Sequence, residues 1–147
     1  MNSLVTFLWT VDEFYVRARN ILFEAGNEPE QGLIAVDWVV KNRVADPRWP
    51  DTAKGVILQK NQFSWTMAGN WWSPGFSRAK TPWNYDPKGW TRVKEIVRKV
   101  DAGAPDPTNG ANHYLNVEVT RKHWGLPGWF NPSKITVKIG HHTFLKL

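Results

Sequence analysis

Apolar residues recur at helical spacing twice between residues 14 and 44, and one short break separates the two runs. Phe14, Ala18, Ile21 and Ala25 share one helical face, and Leu33, Val36, Val40 and Val44 share another. Gly26 and Asn27 suit the end of the first run and Pro29 suits the first turn of the second, so the segment predicts a helical hairpin. Thr10 and Glu13 make a capping box for the first helix, while Asp46-Pro47 and Trp49-Pro50 stop the second. A third apolar face comes after Asp86-Pro87, where Val93, Ile96, Val97 and Val100 align before Gly103. Lys134 to Ile139 alternates as K-I-T-V-K-I, a short strand. The expected fold is mainly α with minor strand content, a single domain over residues 1–147, which is enough chain for one core.

Between Gln62 and Pro87 the sequence QFSWTMAGNWWSPGFSRAKTPWNYDP keeps no steady period and reads as a long ordered loop. It carries several of the chain's ten tryptophans, whose flat faces suit sugar rings or nucleobases. For any single Trp, core packing is the stronger expectation, although adjacent Trp71 and Trp72 cannot pack alike in a loop and one of them should be exposed. The net charge of +6 is uneven: residues 1–73 hold seven Lys and Arg against eight acids, and residues 74–147 hold twelve against five. Such a surface favours a polyanion, whether nucleic acid, acidic membrane or anionic wall polymer.

Other chemistries are disfavoured. There is no cysteine, hence no disulfide or thiolate chemistry. His113, His123, His141 and His142 show no HExxH or comparable ligand spacing, and adjacent strand histidines should point to opposite faces, so neither a metal nor another cofactor is expected. The apolar stretch from Leu4 to Val11 is too short to span a bilayer and lacks a basic flank. A soluble monomer without a conventional export signal and without stable membrane insertion is expected, made in a host cytoplasm.

One acid stands apart. On an ideal helix Glu24 lies about 60° from Ile21, at the edge of the buried stripe, where partial desolvation raises a carboxyl pKa and favours a general acid. A helix-end glutamate hydrogen-bonded to a loop is the structural alternative. Glu28 is the obvious second carboxylate of a glycosidase pair. The break at Gly26-Asn27-Glu28-Pro29 denies it the same face, and Glu28 and Glu30 are expected to complement the N-terminus of the second helix. Asp37, Asp46 and Asp51 have no stronger claim. Gln62, Ser64 and Trp65 offer an amide, a hydroxyl and a ring suited to N-acetyl groups and sugar hydroxyls, or else bonds within their own loop.

The order E-A-G-N-E-P-E-Q-G-L-I-A-V-x-x-V-V-x-N-R-V from Glu24 to Val44 resembles the signature of the SleB-type cell wall hydrolases, the spore-cortex-lytic family with phage relatives. It continues through Pro50 and Thr52, Gln62-Phe63-Ser64, Asp106-Pro107-Thr108 with Gly110-Ala111, and Ile139-Gly140 with His142 and Phe144. Gly26-Asn27 stands where the family has Arg-Gly, and Leu33 where Gln is common. The resemblance implies a lysozyme-like domain acting on peptidoglycan glycan strands, with Glu24 as catalytic acid and base. It also implies that Tyr114 orients the sugar or Glu24, with Asn112 and His113 as further candidates, and that His142 lies near the cleft.

The expected activity is thus a lytic transglycosylase, and the expected role is that of a phage lysin. A hydrolytic muramidase on the same fold and a non-catalytic module binding wall or nucleic acid are the alternatives. With a peptidoglycan partner, no nucleic acid is expected.

Overall fold

The computed structural model describes residues 2–69 and 71–147. The hairpin is present, as α2 (Glu13–Ala25) and α3 (Glu30–Val44), and α7 (Pro87–Asp101) closes over it. Ala18, Ile21, Leu33, Val36, Val93, Ile96 and Val97 pack into one buried cluster between the three helices. Arg17 of α2 pins the same trio. It bonds Asp37 of α3 at 2.6 Å and Asp101 of α7 at 2.9 Å, so this buried guanidinium is not left unpaired.

Two helix starts differ from expectation. Asp12 caps α2 by accepting from the Phe14 amide, which leaves Glu13 inside the first turn and removes the Thr10 capping box. Pro29 occupies the N-cap of α3, one residue outside the helix. The apolar N-terminal stretch forms α1 (Ser3–Leu8), capped by Asn2, and its Leu4 and Leu8 join Val16, Val40, Val56 and Ile57 in a second buried cluster with α4 (Ala53–Ile57).

The expected loop from Gln62 to Pro87 is corrected. It holds a 3-10 helix (Ser64–Ala68), α5 (Pro74–Lys80) and α6 (Pro82–Tyr85). Ser73 accepts from the Phe76 amide and prolines sit in the first turns of α5 and α6, so local caps start helices too short for a period to show.

The sheet has three antiparallel strands in the order β1 (His113–Leu115), β3 (His142–Leu145) and β2 (Ile135–Ile139). Phe144 of β3 is fully buried against Ala35, Val39 and Ala111, which seats the sheet on α3. Between β1 and β2 the chain makes α8 (Val117–His123), which buries none of its residues. No helix among the described residues is long and apolar enough to cross a membrane.

Candidate active site

Glu24 lies in the last turn of α2, and Tyr114 of β1 donates its hydroxyl to Glu24 Oε1 at 2.6 Å. The register that pairs Tyr114 with Phe144 sets this contact, and the Tyr114 ring packs 5.5 Å from Phe144 and 5.0 Å from His142. Burial pushes the Glu24 carboxyl upward. The Tyr114 hydrogen bond and the Arg43 charge oppose that push without cancelling it, so the carboxyl stays above its ordinary value. Burial and the neighbouring carboxylate raise the Tyr114 phenol well above its usual range, which keeps it a donor.

Two hollows meet at Glu24. One, of about 490 Å³, is walled by Glu24, Glu28, Tyr85, Asp86, Asn116 and His142. The other, of about 310 Å³, is walled by Glu24, Arg43, Gln62, His113, Tyr114 and Trp129. A third, of about 360 Å³, shares Phe23 and Tyr85 with the first and is bordered by Ser64 and Trp65. The carboxyl therefore sits between two spaces, as an acid acting on a bond between two sugars requires.

The expected site residues divide among these spaces. Gln62 and His113 face the Arg43 hollow; Gln62 accepts from Arg43 Nη1 at 3.2 Å. Burial first, then the Arg43 and Arg48 charges, push the His113 imidazole down to about 4, so it is neutral between the rings of Trp49 and Trp129. Ser64 and Trp65 border the third hollow instead, away from Gln62. Trp65 donates its indole N–H to Asn20 at 2.9 Å and lies 5.4 Å from the Phe23 ring, so it also holds the wall together. The expectation for Asn112 is corrected. Its buried amide exchanges two 2.9 Å bonds with the backbone of Leu147 and is closed to substrate.

Glu28 also differs from expectation. Its carboxylate is buried and faces the turn between β2 and β3, accepting from the His141 backbone amide at 2.8 Å and lying 3.0 Å from His141 Nδ1. His142 Nδ1 approaches to 3.5 Å, outside good hydrogen-bond geometry. The two histidines thus face one carboxylate, because His141 belongs to the turn and escapes strand alternation. Glu30, exposed, pairs with Lys99 of α7 and leaves the α3 terminus without a side-chain cap.

The tryptophans correct another expectation. Only Trp90 is buried; Trp38, Trp49 and Trp65 are intermediate, and Trp9, Trp71, Trp72, Trp83, Trp124 and Trp129 are exposed. Arg43, Tyr85, Asn116 and Trp129 were not singled out by sequence. For Arg43 a signal existed: it stands in helical register with Val36 and Val40, a cation on an apolar stripe.

Residues 27–145 match a family described as Cell Wall Hydrolase, a stretch that opens just after Glu24. The chain is 26% identical over 138 residues to a spore cortex-lytic enzyme of Oceanobacillus iheyensis, covering 94% of this chain and 43% of the relative. It is 27% identical over 138 residues to one of Bacillus cereus, covering 94% and 46%. The chain thus spans less than half the length of these curated relatives. The catalytic domain of the germination-specific lytic transglycosylase SleB from Bacillus anthracis superposes with a TM-score of 0.63 at 26% identity, over 91% of this chain and 93% of that one. The SleB catalytic domain from Bacillus cereus gives 0.64 at 27%, over 91% and 89%.

Proposed function

The chain belongs to the cell wall hydrolase family, and from that premise we propose that it cuts peptidoglycan glycan strands between N-acetylmuramic acid and N-acetylglucosamine as a lytic transglycosylase, with Glu24 as acid and base. The observation that carries this is the Glu24 carboxyl, raised by burial, held by Tyr114 and flanked by a hollow on either side. A module that only bound wall polymer or nucleic acid would have no use for a half-desolvated acid there.

Protonated Glu24 donates to the bridging oxygen, which leaves as the 4-hydroxyl of N-acetylglucosamine. The muramyl C1 becomes oxocarbenium-like. The Glu24 carboxylate then takes the proton of the muramyl C6 hydroxyl as that oxygen bonds to C1, closing a 1,6-anhydro ring and restoring the protonated acid. No water is consumed. Glu28 has no part in these steps, and its engagement with His141 fits that economy.

Digestion of purified peptidoglycan followed by mass spectrometry tests the proposal. Anhydromuramyl ends, one water lighter than hydrolytic ends and resistant to borohydride, are expected. Reducible muramyl ends as the main product would make the enzyme a hydrolytic muramidase and reject the anhydro chemistry. We pair this chemistry with a bacteriolytic role of the phage-lysin kind, supported by the fit of a +6 chain to anionic wall polymers. Faster clearing of vegetative walls than of purified spore cortex is expected, and the reverse order would reject that role.

A further inference from the structure

Three arginines of the fold are buried, and their guanidinium groups are treated differently. Arg17 is paired with Asp37 and Asp101. Arg19 donates through all three nitrogens to the carbonyls of Ala79, Tyr15 and Lys80. Arg43 is 6% exposed and is paired with no carboxylate among the described residues. Its Nε donates to the Asn112 carbonyl at 2.8 Å and its Nη1 to Gln62 at 3.2 Å, while Nη2 has no hydrogen bond among the described residues. Trp49 and Phe63 lie 5.3 Å and 5.7 Å from the guanidinium and hold it in place without neutralising it. A buried cation with a donor left over, facing a hollow, is built to receive an anion.

The two hollows beside Glu24 differ in charge in the same sense. On the Arg43 side, Glu24 is the only acid among the described lining residues, Gln62 meets the guanidinium, and Asn61 lines the same space. On the other side, Glu28 and Asp86 join Glu24, and His141 and His142 stand against Glu28. An anion is better received in the first space, where Arg43 has a free donor, than in the second, which holds two further carboxylates. The glycan of the proposed reaction has the matching asymmetry, because an acid-bearing muramyl residue and a neutral N-acetylglucosamine flank the scissile bond.

We infer that Arg43 is the receptor for a carboxylate carried by the muramyl residue, seating that sugar in the hollow between Arg43 and Trp129 and leaving N-acetylglucosamine to the hollow beside Glu28 and Asp86. This rests on the proposed glycan-strand activity and adds to it both a specificity-determining residue and the polarity of the strand in the groove. The carboxylate has two sources, the lactyl ether of a peptide-stripped strand and the stem peptide of an intact one.

The test uses peptide-stripped and peptide-bearing glycan strands, each with its carboxylates free or converted to methylamides by carbodiimide. The wild-type enzyme is expected to cut the free-acid form with kcat/KM on the order of 10- to 100-fold above the amidated form. Preference on stripped strands identifies the lactyl acid, and preference on peptide-bearing strands alone identifies the stem acid. Arg43→Gln should cut acid and amide alike, and Arg43→Lys should recover part of the difference. Equal wild-type rates on acid and amide overturn the inference, and this comparison stands even if the Arg43 variants do not fold. Calorimetric binding of the same strands to Glu24→Gln separates the inference from the proposed function. Tighter binding of the acid form by a protein whose wild type cuts nothing would support Arg43 and reject the activity, and equal binding of both forms would reject Arg43.

Discussion

The Glu24 carboxyl is under two opposed influences, and each gives an outcome that can be measured. Because its folded pKa lies above its unfolded one, ionising it opposes folding at every pH above the folded value, and that penalty vanishes below the unfolded value. Glu24→Gln should therefore abolish glycan cleavage, by at least about 100-fold, while melting no lower than wild type at neutral pH. A thermal advantage that grows as pH rises through the acid's folded pKa is expected, and a variant that loses activity by unfolding would contradict it. Tyr114→Phe acts oppositely on the acid. The phenol donates to the carboxylate and so favours the charged form; its loss raises the Glu24 pKa further. The alkaline limb of the pH–rate profile should shift to higher pH, with kcat reduced on the order of 10-fold as the carboxyl loses its orientation. An unmoved limb would show that Tyr114 only packs.

Between elements, Glu28 joins the helical hairpin to the strand hairpin. Burial would raise its carboxyl, but the side-chain and backbone hydrogen bonds of His141, with the charges of His142 and His141, hold it below its ordinary value. Its stabilising effect is thus present above the ordinary carboxylate range and lost as pH falls through the depressed value. Glu28→Gln should lower stability by about 1–3 kcal/mol in denaturant titrations, more than a helix-terminal charge would account for. Gly140 tightens the same junction. Its φ is +59° and an added Cβ would stand 2.8 Å from Glu28 Oε2, so Gly140→Ala should destabilise through both backbone and contact. A variant as stable as wild type would deny the junction its role. α2, α3, α7 and β2 were legible in sequence because each buries one face over enough residues for a period to appear. The short β1 and β3 were not, and neither was the Glu28 contact, which spans 113 positions. Glu24 was legible as the edge of a stripe. Tyr114 and Glu24 are 90 positions apart, and only the family resemblance pointed to Tyr114. Asn112 misled because an amide beside the site looks the same whether it meets a sugar or the backbone of Leu147.

Across the whole molecule the charge is displaced toward the second half, and a surface of this kind should hold an anionic wall by screened attraction. Raising salt to 1 M, where the Debye length is about 3 Å, should release most of the bound protein from sedimented walls. Retention across that range would assign the binding to the exposed tryptophans instead. The sheet bears on the order in which the molecule is completed. Among the described residues β1 and β2 each pair with β3 alone, and β3 follows both in sequence. During synthesis on a ribosome, α2 emerges early and carries Glu24 with it, but Tyr114 has no strand to lie against until residues 142–145 have cleared the exit tunnel. The Glu24–Tyr114 hydrogen bond is therefore completed only once β3 is available, well after the helix that carries Glu24 has formed.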